Sequence, residues 1–291
     1  MAFRTLIINK HSKISYKNNH LVYKAEDRLE HIHIGDIYLL ILETTDISIT
    51  TALISKLTEQ NIPIIFCDNK RMPAAHLMPY YGRHDSTLTI NKQLRWTDDK
   101  KTEAWTSVVK QKIHNQSLLL LDIEEYEKAS TISNLLDKVK PGDSTNREGH
   151  AAKTFFSAVY GENFTRSGLF AVNEINAALD YGYTLLLSVF AREICKCGCL
   201  TQIGINHRGQ FNQFNFASDI MEPFRPLIDK IVYSYQKETF PIIKRHLFEI
   251  FNNQYEYKNA NMYLNNIAEQ YTRQIISFLN EESDEIPTFK I

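Results

Sequence analysis

The 291-residue sequence predicts an α+β protein, with a small β-rich domain over 1–78 followed by a larger all-α domain over 93–291. Three observations carry this. Before residue 78, apolar residues either alternate with polar ones or run continuously over strand lengths. From Gln93 onward they recur at helical spacing. Between the two, MPYYGRHDS (78–86) brings Pro, Gly and a cluster of polar residues, which places a linker at 79–92.

The N-terminal elements follow in order. AFRTLII (2–8) is rich in β-branched and aromatic types and predicts a strand. KISYK and HLVYK flank Asn18-Asn19, and Asn tolerates the positive φ of a tight hairpin turn. LEHIHI alternates with period two, as a half-buried strand does, whereas IYLLIL is apolar throughout and predicts a strand buried on both faces. TTALISKLTEQ has helical spacing, and IPIIFCD returns to strand. Up to Lys24 the charged residues Arg4, Lys10, Lys13, Lys17 and Lys24 are all basic, interleaved with His11, Tyr16, His20 and Tyr23. That mixture suits phosphate contact with base stacking, and equally suits a solvated strand face.

In the second domain, Trp105, Val108, Val109 and Ile113 share one helix face, and 122–138 is a further amphipathic stretch closed by Pro141-Gly142-Asp143. Thr145 and Glu148 have capping-box spacing, so a helix starts here and Glu148 has a purely structural role open to it. A first-turn carboxylate flanked by Arg147 and His150 is equally placed to face a cleft. Residues 172–197 form the longest helical pattern, apolar nearly all round. The polar loop 204–215 contains His207, just ahead of FNFASDIMEPFRPLIDKIVY (214–233). Read as one helix, that stretch has the apolar stripe Ile220, Leu227, Ile228 and Ile231, with Asp219, Glu222 and Arg225 three apart on a neighbouring side. Two carboxylates so spaced can share one cation. Residues 240–252 and 260–280 predict two more helices, and the last eleven residues read as a loose acidic tail.

Composition narrows the class. At 43% hydrophobic the chain can bury a sizeable core, and it has neither a signal-peptide pattern nor a membrane-length apolar run, as expected of a soluble, cytoplasmic protein. The net charge of −1 leaves DNA affinity to local patches. Cys195, Cys197 and Cys199 have C-x-C spacing without a partner C-x-x-C or histidine pair, so free thiols in a reducing compartment are expected rather than structural zinc.

NREGHAA (146–152), the GINH loop (204–207) and SDIMEPFRPLID (218–229) together resemble the CRISPR-associated integrase family, the adaptation subunit that inserts spacers into a CRISPR array. The likeness spans nearly the whole chain. ISYKNNHLVYK, ILETTDI, FCDNKRMPAAHLMPYYGRHDS and FNQFNFASDIMEPFRPLIDKIVY look closest to the bacterial type II-A form. The resemblance implies an N-terminal β-sandwich-like domain, a helical catalytic domain, and a metal site of Glu148, His207 and Glu222 with Asp219 as a further acidic member, holding Mn²⁺ or Mg²⁺. It implies homodimers bridged by a smaller CRISPR-associated subunit, double-stranded DNA as substrate, and contact with the type II-A effector nuclease and an accessory DNA-ring protein.

The implied reaction is attack of a donor 3′-hydroxyl on a repeat phosphodiester. A metal-dependent nuclease using the same residues, and a non-enzymatic DNA-binding assembly subunit, are the alternatives. Arg83, His84, Arg147, Arg225, His11 and Lys13 are candidate DNA contacts, while Lys92, Arg95, Lys100 and Lys101 mix with Asp98, Asp99 and Glu103 and read better as a solvated helix face.

Overall fold

The computed structural model describes residues 4–79, 85–166 and 173–291, which divide into two compact units: 1–86 with 195–198, and 87–194 with 199–291. The first is the β-rich region. Its strands are β1 (Arg4–Ile8), β2 (Ser12–Lys17), β3 (His20–Lys24), β4 (Leu29–His33), β5 (Ile37–Leu42), β6 (Ile47–Ile49), β7 (Ile64–Cys67) and β8 (Pro73–Leu77), with helix α1 (Thr51–Glu59) between β6 and β7. They form two four-stranded sheets, ordered β1-β5-β7-β8 and β4-β3-β2-β6. IYLLIL is β5, paired in parallel to β1 and β7 and buried at every position, as a strand inside a mixed sheet must be. Ile8, Ile14, Leu21, Leu40, Leu42, Leu53, Leu57 and Ile64 from both sheets and α1 close one hydrophobic core.

Asn18 and Asn19 take φ of 49° and 60°, the pair of positive values that a twist-matched two-residue hairpin demands. The register aligns Lys17 with His20 and His33, and Lys13 with Lys24. By alternation, Lys13, Lys17, Lys24, His20, His31 and His33 share one sheet face with no carboxylate among them. β6 and β8 are short edge strands that hydropathy alone did not mark.

The second unit is mostly helical: α2 (Ser86–Gln93), α3 (Asp98–Asp122), α4 (Tyr126–Ser133), α5 (Arg147–Tyr160), α6 (Glu174–Lys196), α7 (Asn215–Ile220), α8 (Arg225–Ser234), α9 (Phe240–Leu247) and α10 (Leu264–Leu279). No helix among the described residues is long and apolar enough to cross a membrane. α2 occupies the second half of the span expected as linker, and residues 80–84, with Arg83 and His84, lie outside the described residues. A hairpin of β9 (Gln254–Tyr257) and β10 (Ala260–Tyr263) interrupts the helices, turning at Lys258-Asn259 with φ of 51° and 60°. The helix expected over 260–280 therefore begins at Leu264.

Two expectations are corrected. The stretch 214–233 is not one helix: Pro223 has no N–H to donate, and a 3-10 turn at Glu222–Phe224 separates α7 from α8. The C-terminal segment is not loose. Phe289 is 2% exposed and stacks on Phe224 at 4.1 Å between ring centroids, within an aromatic cluster that includes Phe190 and Tyr271. Gln111 on α3 accepts the Phe289 N–H at 2.9 Å and donates to the Pro287 carbonyl at 3.0 Å. Acidity at 281–285 marks only the exposed part of a segment whose apolar end has a socket.

Candidate functional site

The approach to α5 decides what Glu148 can do. Asn146, at φ 51° and ψ 49°, caps the helix by accepting the Gly149 N–H at 3.1 Å. A Cβ on Gly149 would lie 2.7 Å from that side chain, so the glycine of NREGH makes room for the cap. Asp143 accepts the N–H groups of Arg147 at 2.7 Å and Glu148 at 2.9 Å. The expected Thr145–Glu148 capping box does not form, because Asn146 and Asp143 already satisfy the first turn. Glu148 is thereby released from capping, and its Oε1 meets Lys112 Nζ at 2.6 Å.

Lys112 lies on α3 in the buried stripe of Trp105, Val108 and Asn115, with a side chain 9% exposed. Its Nζ is also 2.6 Å from Oε2 of Glu222, a residue 2% exposed. Oε1 of Glu222 pairs with Arg225 Nη2 at 2.9 Å, and the guanidinium lies over the Tyr183 ring. Burial pushes the Glu222 carboxyl up, but Arg225 and Lys112 outweigh it and hold it below its ordinary value. Burial pulls the Lys112 ammonium down, yet Glu222 and Glu148 hold it above its ordinary value. Oε2 of Glu222 is buried without a well-formed hydrogen bond, despite its ion pair. Asn115 fixes the turn behind it by donating to the Pro223 carbonyl at 2.8 Å.

His207 is held from the other side. Asp219 is fully buried and accepts the main-chain N–H groups of Ile205 at 2.5 Å, Asn206 at 3.1 Å and His207 at 3.0 Å. Its Oδ1 also bonds His207 Nδ1 at 2.6 Å, which pushes the imidazole pKa up and leaves Nε2 as the outward nitrogen. The ring stands edge-on to Trp105. A Cβ on Gly204 would meet Asp219 Oδ2 at 2.5 Å, so the loop can wrap this carboxylate only with glycine there. Asp219 and Glu222 therefore do not share a cation; the break after α7 sends them to different partners.

Among the described residues no three His, Cys, Asp or Glu side chains close on one point, because Lys112 fills the space between the two glutamates. The donor set nevertheless fits a divalent cation. Two carboxylates already converge on one positive atom, and His207 is close enough to feel the charge of Glu222. Asp219 is committed to the loop and orients His207 rather than joining the donors. The His207 loop also lines a recess of about 440 Å³ with Lys101, Arg208, Gln202, Gln210 and Asn212 and no carboxylate. A larger cavity, about 940 Å³, lies beside residues 288–291 and touches none of these groups.

Other candidates have local partners. Arg147 turns onto Thr145 and His150, and His11 pairs with Asp46 at 2.9 Å. Lys13 is exposed on its sheet. Lys92 is exposed and pairs with Glu282, whereas Lys100 and Lys101, near Glu103 and Asp98, are half-buried and Lys100 lies over the Phe278 ring, so the solvated face expected of all three is only partly solvated. Cys67, Cys195, Cys197 and Cys199 form no disulfide, and burial followed by the charge of Cys197 pushes the Cys195 thiol up to about 11.

Sequence reasoning missed Lys112, Asp143 and Asn115. Lys112 carried a readable signal: a lysine within an apolar helical stripe is rarely buried without a carboxylate partner. Asp143 and Asn115 carried none, since their partners are main-chain atoms brought close only by folding.

The chain is similar to proteins of one known family. The family model described as CRISPR associated protein Cas1 matches residues 6–266. A CRISPR-associated endonuclease Cas1 of Neisseria meningitidis serogroup C is 32% identical over 255 residues, covering 86% of this chain and 83% of that protein. Among solved structures, a casposase bound to integration product superposes with a TM-score of 0.79 at 18% identity, over 98% of this chain and 92% of that one. A chain of a Cas6-RT-Cas1–Cas2 complex gives 0.77 at 18% identity, over 99% of this chain and 36% of that longer one.

Proposed function

Since the chain belongs to the CRISPR-associated Cas1 family, we propose that it is a metal-dependent DNA integrase of CRISPR adaptation that joins a protospacer 3′-hydroxyl to a repeat phosphodiester. The observation that carries the proposal is the convergence of Glu148 and Glu222 on one cationic atom, at 2.6 Å each, beside a histidine whose Nδ1 is locked. Glu148, Glu222 and His207 Nε2 would hold Mn²⁺ or Mg²⁺, the imidazole favouring Mn²⁺. A divalent ion supplies acidification of the attacking hydroxyl and charge stabilisation at the phosphoryl and leaving oxygens.

The chain's own residues do the positioning. Asp219 keeps His207 in one tautomer and orientation, Arg225 clamps Glu222, and Asp143 with Asn146 frees Glu148 to face inward. DNA contacts fall to the acid-free sheet face of Lys13, Lys17, Lys24, His20, His31 and His33, and to the recess beside His207. A smaller Cas2-type subunit is the partner by likeness to the complex above; a second copy, and a bacterial cytoplasm, follow from the motif resemblance. The motifs around 14–24 and 211–233 support the type II-A form.

The test is a joining assay with the smaller subunit, a 3′-OH donor duplex and a supercoiled repeat target, in Mn²⁺ and in EDTA. Joined product should require metal and the free 3′-OH, and should vanish with Glu148→Ala while the circular dichroism stays native. Normal joining by folded Glu148→Ala overturns the assignment. Cleavage that ignores a blocked 3′ end reassigns the protein as a plain nuclease.

A further inference from the structure

Lys112 is not among the residues that the motifs single out, yet it stands at the centre of the site. Its Nζ contacts Glu148 Oε1 and Glu222 Oε2 at equal distances of 2.6 Å, and its side chain is almost fully buried. With Arg225 on the other oxygen of Glu222, two glutamates meet two cations, and the quartet is neutral. A divalent ion entering between the carboxylates would meet a like charge in contact with both of its oxygen donors. In a buried site that repulsion is screened far less than in water. Either the ammonium leaves its place or an anion joins the site.

Resting on the metal-dependent reading above, we propose that Lys112 is an internal cation that competes with the divalent ion for Glu148 and Glu222, and that DNA relieves the competition by offering the displaced ammonium a phosphate. Metal and DNA then bind cooperatively, and by linkage each tightens the other by the same factor. The protein avoids loading metal tightly before substrate arrives. Lys112 here is a positioning residue, and its effect is on binding.

Mn²⁺ titration followed by electron paramagnetic resonance tests this on the full chain, with and without a duplex whose 3′ ends are blocked. In the native protein, duplex should tighten Mn²⁺ about tenfold or more. Lys112→Met without DNA should bind Mn²⁺ about tenfold tighter than the native chain, and gain little from duplex. Lys112→Arg, which keeps the charge, should bind no tighter than native. Equal Mn²⁺ affinity in Lys112→Met and native protein overturns the inference alone. So does a native protein whose Mn²⁺ affinity ignores duplex, a result that needs no variant to fold. Absence of Mn²⁺ binding in every sample overturns the metal reading and this inference with it.

Discussion

Asp219 and Glu222 stand three residues apart, both buried, and their surroundings differ in kind. Around Asp219 the partners are three main-chain N–H groups and one imidazole, all belonging to a loop that closes on it. Around Glu222 they are the ends of two long side chains, Lys112 and Arg225. Main-chain donors cannot leave without unfolding the loop, whereas a lysine on a four-carbon stem can swing away. On the proposal above, one half of the site keeps its shape and the other exchanges its occupant.

The largest effect should come from breaking the fixed half. Asp219→Ala strips a carboxylate acceptor from three main-chain N–H groups, that of Ile205 buried and the other two only partly so; hydrogen bonds to a charged group contribute about 1.5–3 kcal/mol each, for a total of about 4–9 kcal/mol in urea unfolding. A loss below about 1 kcal/mol would show that the loop does not depend on this carboxylate.

Next is the support of the exchanging half. Phe289→Ala empties the stack on Phe224, next to the turn that carries Glu222, and should cost about 3–5 kcal/mol. Hydrogen exchange should quicken at residues 222–225 and stay slow at 205–207. Equal loss of protection in both places would erase the distinction between the halves.

The smallest effect concerns Asp229, one of the charges felt by Arg225, whose carboxyl burial pushes up to about 7 while Tyr183 donates to it at 2.5 Å. The unfolded chain loses that proton near 3.8, so between the two values the folded state holds a proton that the unfolded state lacks. Stability therefore falls as pH rises through this window, and the loss is complete above about 7. The contribution is at most about 4 kcal/mol. Asp229→Asn should flatten the difference between urea midpoints at pH 5 and pH 8; an unchanged difference would place the titration elsewhere.

Much of this was legible in residue order. IYLLIL read as an inner strand from its short continuous apolar run, and Asn18-Asn19 as a turn from its tolerance of positive φ, because both signals are local. The matching Lys258-Asn259 hairpin went unread because its strands are four residues each and polar, leaving little hydrophobic signal. Glu148, His207 and Glu222 were nameable from motifs, and the helix start at Arg147 from its capping residues, though the cap itself is Asn146.

The sequence by itself determined the two-part fold, the element types along most of the chain, and which residues carry charge or imidazole near the site. Tertiary structure alone decided their partners. Asp143 took over the capping of α5, the loop at 205–207 closed on Asp219, and α3 delivered Lys112 from 36 residues before Glu148 to sit between two carboxylates. Periodicity records which way a side chain points on its own element. What it meets there depends on elements distant in sequence, and the energy of a buried charge lies in that meeting.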